Sequence, residues 1–347
     1  MCHQLFDGHS WLSCASWLRG FPCFLIVSCA QDPQGWHLVW EASVEDGRIE
    51  DVYFVSSSVG WIGTSQGRVY RTRDGGATWD LQLDVEANIR SLGFTDTLVG
   101  WAGNLDGEDG DVLYATRNGG VDWAVIAMPA EVLGICGISV LNDTTVFAVG
   151  RNIGPAYLIA TLDGGRTWTY RDMSDHAWQL VDVHFWSTTE GLAVGGYKPS
   201  LSEPSKAVVL YTGDGGKTWE RRYQGSRARE RGWKISFPTR LVGYVSVEGW
   251  RPGESFFLKS TDGGESWLEK QFWWGNNPYV AQGIGFVSAD EGWIGSWLPG
   301  NPLLSTRDGG ATWKPTAIDM PVNRLRFISD TLGYAAGGGL YKLDRNH

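Results

Sequence analysis

One eight-residue pattern recurs six times and constrains everything else about this chain. It reads Thr72-Arg-Asp74-Gly75-Gly76-Ala-Thr78-Trp79 in its first copy. It returns with Asn118 and Trp123, Asp163 and Trp168, Asp214 and Trp219, Asp262 and Trp267, and Asp308 and Trp313. Successive tryptophans of the pattern lie 44, 45, 51, 48 and 46 residues apart. A fixed period in this range marks a propeller or a solenoid, because each unit is too small to bury its apolar face alone and must stack on its neighbours. The second copy departs from the rest, with Asn118 in place of Asp and Asp122 in place of Thr.

Each unit has the same internal grammar. In the first, 49–54, 59–64, 67–72 and 78–83 read as four short strands separated by turn residues. Four such strands per repeat, repeated radially, make a propeller blade. Composition agrees: 47 of 347 residues are Gly, about twice the usual ~7%, and 20 are Trp. Within the repeat, Asp fixes the hairpin by hydrogen-bonding nearby amides, and the glycines supply positive φ. The pattern's tryptophans (Trp79, Trp123, Trp168, Trp219, Trp267 and Trp313) are expected to begin the fourth strands and to wedge between blades. Trp36 lies 43 residues before Trp79, and 36–40 reads as a fourth strand. At the other end, 325–328, 333–337 and 339–342 read as first, second and third strands, running to Asp344, which is read as the middle of a further Asp-box. The N-terminal strand is therefore expected to complete the last blade, giving an all-β, seven-bladed propeller of four antiparallel strands per blade with no exposed edge. Trp61, Trp101 and Trp293 fall in second strands.

Residues 1–29 read as a signal peptide, with 30–347 as a single propeller domain. Arg19 precedes the apolar run 21–27, which ends in Ile26-Val27-Ser28-Cys29, in the order of a secretory leader. Its end looks like a bacterial lipobox, which implies lipidation of Cys29 and an exported, periplasmic or cell-surface protein held to the membrane by a lipid anchor. Removing 1–28 deletes Asp7 and Arg19 and leaves the net charge at −10. That acidity argues against a nucleic-acid partner, whose backbone needs a basic footprint.

Turns alternate between the two faces of a blade, so the Asp-Gly-Gly turns occupy one face, and the two-to-three loops and blade-to-blade links the other. The second face carries the irregular sequence: loops 196–207, 248–255 and 296–303, and links 220–231 and 269–281. The candidate partner-binding residues gathered there are Arg221, Arg222, Arg227, Arg229, Arg231, Trp250, Arg251, Trp273, Trp274, Asn276, Asn277, Tyr279 and Trp297. Arg and Trp are enriched at protein-binding hot spots, and Trp with Asn also suits a sugar. The dense acids Asp106, Glu108, Asp109 and Asp111 fail the EF-hand spacing, which would need a carboxylate at Arg117. The six histidines show no paired metal spacing, so no metal or other cofactor is expected, and Cys136 reads as an inert core thiol.

The repeat resembles the Asp-box (BNR) repeat, S/T-x-D-x-G-x-T-W. More closely, the unit Phe94 to Gly100-Trp101-Ala-Gly103 to Trp123, and again Phe286 to Gly292-Trp293-Ile-Gly295 to Trp313, resembles that of the photosystem II stability/assembly-factor-like propellers. That resemblance covers residues 36–345. It implies an exported, non-catalytic scaffold that binds a membrane protein complex through arginine-bearing loops. Asp-boxes also occur in sialidase-like glycoside hydrolases, which leaves a glycan-binding or hydrolytic role as the alternative. A sialidase has an Arg-Ile-Pro motif and six blades, whereas this chain has Arg48-Ile49-Glu50 and seven. Xyloglucanase-like enzymes use two seven-bladed propellers, and one is counted here. Glu203, Glu248 and Glu254 are the loop-face carboxylates, and their sequence positions do not pair them. No catalytic residue is assigned.

Overall fold

The computed structural model describes residues 35–105, 110–200 and 202–345. The expected leader with Cys29, and Asp106, Glu108 and Asp109, lie outside the described residues. Seven four-stranded antiparallel sheets form the blades. Blade 1 runs Ile49–Phe54, Gly60–Thr64, Arg68–Thr72 and Asp80–Asp84, and blades 2 to 6 repeat that order. Blade 7 takes its inner three strands from Val322–Phe327, Leu332–Gly337 and Gly339–Asp344, and its outer strand from Trp36–Glu41. The N-terminal strand therefore closes the ring, as the tryptophan count requires.

The recurring turn is held by a compact set of bonds. Thr72 Oγ1 donates to Asp74 Oδ1 at 2.8 Å and accepts from Gly76 N at 2.9 Å. Asp74 accepts from Thr78 N at 2.8 Å and from Thr78 Oγ1 at 2.6 Å. The Thr78 hydroxyl and amide hold the Asp74 carboxyl at about 2. Gly75 and Gly76 stand at φ 72° and 99°, which side chains with a Cβ rarely adopt. In the divergent second copy the roles are exchanged. Asn118 Oδ1 accepts from Asp122 N at 2.9 Å, and Asn118 Nδ2 donates to Asp122 Oδ2 at 2.7 Å. The two departures compensate one another. In blade 7 the register pairs Gly333 with Leu343, as Gly60 pairs with Thr72. Leu343 thus holds the Thr position and Arg345 the Asp position, so Asp344 is not the aspartate of a seventh Asp-box.

The tryptophan of the turn does not begin the outer strand, as the sequence suggested, but stands one residue before it. Trp79 precedes Asp80–Asp84, Trp168 precedes Thr169–Asp172, Trp219 precedes Glu220–Gln224 and Trp267 precedes Leu268–Trp273. The physical reason is that the indole belongs to the turn. Its Nε1–H folds back onto the carbonyl of the second glycine, from Trp79 to Gly76 at 3.1 Å, from Trp219 to Gly216 at 3.1 Å and from Trp267 to Gly264 at 3.2 Å. The ring still enters the seam between blades. It meets the last aromatic of its own inner strand edge-on, Trp79 with Phe54, Trp123 with Phe94, Trp219 with Phe185, Trp267 with Phe237 and Trp313 with Phe286, all at 6.0–6.3 Å. Trp168 departs again: blade 3 has no such aromatic, and Trp168 packs instead with Val140 and Tyr170 against the aliphatic cluster of its seam.

Packing between blades explains the Phe-to-Gly spacing. The aromatic ending one inner strand stacks on an aromatic of the preceding blade's second strand: Phe54 on Tyr334 at 3.8 Å, Phe94 on Trp61 at 3.6 Å, Phe185 on Phe147 at 3.6 Å and Phe286 on Tyr244 at 3.5 Å. The Phe ring also covers the first residue of its own second strand. A Cβ at Gly60 or Gly100 would come within 2.4 or 2.1 Å of it. Blade 3 lacks both halves of the device, with Val140 and Val146 at those positions. The apolar core is accordingly divided into seven clusters, one per seam.

His184 lies in one seam, its ring parallel to Phe237 at 5.7 Å and edge-on to Trp186 at 5.0 Å. Burial lowers its pKa to about 4; nearby Asp182 opposes this, and Arg240 and Arg326 add to it. The folded state keeps the ring neutral while the unfolded chain takes up a proton below about 6.5. Stability is therefore present above pH 6.5 and lost as pH falls towards 4. His184 as a residue is half-buried, so the expected loss from pH 7 to pH 5 is about 1–2 kcal/mol. Urea midpoints of the wild type and His184→Phe at both pH values test this. A slope unchanged in the variant would assign the effect elsewhere.

Candidate functional site

At the axis, local strand geometry turns polar residues inward. Six of the seven inner-strand pairs slip register by a bulge, for example between Ile49 and Asp51 and between Leu180 and Asp182. A bulge breaks the in–out alternation of a strand. Glu50, Asp51, Arg90, Asp182, Lys234 and Arg324 are all buried. Arg90 reaches Glu50 of the neighbouring blade and lies over Trp233 of blade 5 at 5.1 Å. Arg324 of blade 7 pairs with Asp51 of blade 1 at 2.8 Å and Asp182 of blade 4 at 3.4 Å. These contacts cross the axis, so side chains fill it. Burial alone would raise the pKa of Asp51, but Arg324, Arg326 and Lys234 outweigh it and hold the carboxyl well below the usual range. Burial pushes the Lys234 ammonium down to about 8, against the pull of Asp182.

Above this plug, on the face of the loops and links, blades 4 and 5 enclose a cleft of about 510 Å³. Its wall is built from the blade 4 loop (Lys198, Glu203, Ser205), the following link (Arg229, Arg231) and the blade 5 loop (Glu248, Trp250). Arg231 opens the strand Arg231–Ser236. Its guanidinium bonds Glu248 at 2.7 Å and the Asn152 carbonyl at 2.9 Å and lies 4.9 Å over Trp233. Glu248 also accepts from the Trp250 indole at 3.3 Å and from Gln282 at 3.2 Å. Arg229 stands at φ 64°, the sole positive φ of a non-glycine among the described residues. Its amide, at 2.7 Å, and that of Glu230, at 3.2 Å, bond the Ser205 carbonyl and fix this strained corner. The Arg229 side chain is left exposed at the cleft. Trp250, half exposed, meets Trp297 edge-on at 5.7 Å, and Arg48 lies over Trp297 at 5.4 Å. The rim is thus a run of cations and indoles on an acidic protein.

Of the expected site residues, Arg229, Arg231, Trp250 and Trp297 converge here. Arg221 and Arg222 lie in the outer strand Glu220–Gln224 and not in the link. Arg221 covers Tyr197 at 3.9 Å and Arg222 covers Tyr211 at 4.8 Å. Arg227 is enclosed by Glu230 and Glu269, both at 2.6 Å, and lies over Phe256. Trp273 ends an outer strand and bonds the Asn277 carbonyl at 2.9 Å. Tyr279 is fully buried, its hydroxyl bonding the Ile294 and Pro302 carbonyls. Arg251, Trp274, Asn276 and Asn277 are exposed but do not line the cleft. Lys198, Arg48 and Asn152 were not singled out from sequence. Arg48 carried a readable signal: it falls at the end of the link into blade 1, as Arg231 does in blade 5. Cys136 is buried, its thiol pKa raised by burial and its sulfur accepting from Asn152 N. Among the described residues no group of three or more His, Cys, Asp or Glu is placed to hold a metal ion, and no helix is long and apolar enough to cross a membrane.

The repeat turns, the blade count and the closing strand define this protein as a seven-bladed Asp-box β-propeller, resembling the photosystem II stability/assembly-factor-like proteins. A curated relative, the Photosystem II assembly lipoprotein Ycf48 of Synechococcus sp. (strain CC9902), is 24% identical over 298 residues, covering 81% of this chain and 79% of that protein. A solved structure of YCF48 bound to D1 peptide superposes with a TM-score of 0.66 at 20% identity, covering 90% of this chain and 97% of that one. The GH74 xyloglucanase of Xanthomonas campestris superposes with a TM-score of 0.65 at 14% identity, covering 88% of this chain but 53% of the enzyme. No protein-family model matches the chain. Structural likeness at these identities establishes the fold alone, because one architecture hosts many functions.

Proposed function

We propose that this chain is a non-catalytic, extracytoplasmic propeller that acts as an assembly or stability subunit for a membrane protein complex of the photosynthetic type. It grips an exposed segment of that complex in the loop-face cleft. The observation that carries this reading is the cationic and indole rim formed by the exposed Arg229 and Trp250 with the half-buried Lys198. Support comes from the sequence relationship to an assembly lipoprotein over most of both chains. The leader ending in Cys29 fits export and a lipid anchor on the membrane that holds the partner. A cleft lined by Arg and Trp beside carboxylates suits a peptide with an acidic group and an apolar neighbour. A glycan is the second reading, favoured by the half-exposed Trp250.

The test is a pull-down from solubilised membranes, with the wild type and two variants as bait. Arg229→Ala and Trp250→Ala remove rim groups without unpairing a buried charge. Each is expected to weaken partner capture about 30-fold, the effect of a hot-spot residue worth about 2 kcal/mol. Arg307→Ala, on the opposite face, is expected to leave capture intact. Equal capture by all four proteins would sink the assignment of the cleft. Recovery of no complex, with a glycan-array signal lost in Trp250→Ala, would favour the sugar.

A further inference from the structure

The seams between blades share a second device, and one seam lacks it. In five of the six Asp-box turns, the carbonyl of the first glycine accepts a bond from a long side chain set into the seam. Gly75 receives it from the Tyr334 hydroxyl at 3.1 Å. Gly119 receives it from Arg71 at 2.9 Å and the Trp61 indole at 3.3 Å. Arg117 caps Gly164, Arg240 caps Gly263 at 3.2 Å, and Lys259 caps Gly309 at 2.9 Å. The sixth carbonyl, on Gly215, sits in the seam between blades 3 and 4.

There, each position that elsewhere supplies the donor holds a residue that does not. The ladder aligns Phe147 and Ala160 with Trp61 and Arg71. Leu162 follows Thr161 as Arg117 follows Thr116, and Thr188 stands three residues after Phe185 as Arg240 does after Phe237. A Cβ on Gly215 would meet only Thr188 backbone, where one on Gly309 would meet the Lys259 ammonium. The volume the missing side chains would occupy is open as a cleft of about 740 Å³, lined by Phe147, Ala160, Leu162, Thr188 and Gly215. Leu162 stays 67% exposed at its rim.

We propose that this cleft is a binding site for an arginine side chain of a partner polypeptide, which supplies from outside the cap that the other five turns carry internally. The guanidinium donates to the Gly215 carbonyl, and the aliphatic stem lies along Phe147 and Leu162. Asp163 and Asp214 at the rim attract it, while Lys217 and Arg171, which also line the cleft, limit its affinity. The site lies on the side of the Asp-box turns, away from the loop-face cleft, and stands independently of the function proposed above.

The probe is Nα-acetyl-arginine methylamide, with the citrulline derivative as its neutral isostere, titrated against the full chain by NMR. The arginine compound is expected to shift the Gly215 amide and Leu162 methyl signals and to bind about tenfold or more tighter than the citrulline compound, as a charge-assisted bond requires. Ala160→Arg installs the internal cap and is expected to abolish binding. Leu162→Arg does the same from the exposed rim, where folding is not at stake. Equal binding of the two probes, or binding unchanged in a folded variant, overturns the proposal.

Discussion

Asp51→Ala will lower the unfolding free energy by about 3–5 kcal/mol, the usual effect of stranding buried charge. The Asp51 carboxylate is almost wholly buried and serves three blades at once. It accepts from Val52 N within blade 1 and from Leu92 N of blade 2, both at 2.9 Å. It also pairs with Arg324 at 2.8 Å and Arg326 at 3.2 Å from blade 7. Its loss leaves Arg326 without that carboxylate and reduces Arg324 to Asp182 at 3.4 Å. Two backbone amides lose their acceptor as well, and each buried unmade bond adds to the cost. The comparison is Asp80→Ala, whose exposed pair with Arg73 at 2.6 Å is expected to contribute about 0–1 kcal/mol. Urea denaturation of both variants decides the matter. Equal midpoints would mean that the axial network adds nothing beyond a surface pair. If Asp51→Ala yields no soluble protein, Asp51→Asn with Arg324→Met removes one charge of each sign and is expected to recover a cooperative transition.

That network also marks where sequence reading stopped. The Asp-box turn was legible because its bonds join residues two to four apart, as Thr72, Asp74 and Thr78 do. The closing strand was legible because Trp36 keeps the period. The axis was not legible. A two-residue alternation assigns Glu50 and Asp51 to opposite faces, and the bulge that buries both is a property of the paired strands. The cleft was half legible. Composition brought the arginines together but could not separate Arg229, left free by a left-handed backbone corner, from Arg227, enclosed by Glu269 forty-two residues away. Arg221 and Arg222 carry the same ambiguity, since a guanidinium over Tyr197 or Tyr211 packs as an apolar group would. The empty seam at Gly215 lies between these cases. Ala160 and Leu162 are ordinary residues in isolation and acquire meaning only in register with Arg71 and Arg117.

A chain that lacks residues 1–41 is expected to lose its cooperative unfolding transition altogether. The strand Trp36–Glu41 is the outer strand of blade 7 and pairs along Gly339–Asp344 from Trp36↔Leu343 to Glu41↔Gly339. Its first residue is the one fully buried side chain of the strand. Trp36 is buried, edge-on to Trp293 of blade 6 at 5.5 Å and to Phe327 at 6.3 Å. Trp36→Ala alone should therefore cost about 3–5 kcal/mol, the range for emptying a buried Trp site. Removing the whole strand adds an unpaired sheet edge, which invites pairing with another chain. It also frees the link that carries Arg48 from one of its two anchors, leaving the pair with Glu50 at 2.6 Å to hold the cation over Trp297. A synthetic peptide of residues 35–41 should restore the transition in trans, because the exposed edge is a template for strand addition. Thermal unfolding followed by near-ultraviolet circular dichroism reads all three states. A truncated chain that melts cooperatively at the wild-type temperature would mean that six blades and an open seventh are sufficient. The closing strand would then be dispensable to the cooperativity of the ring.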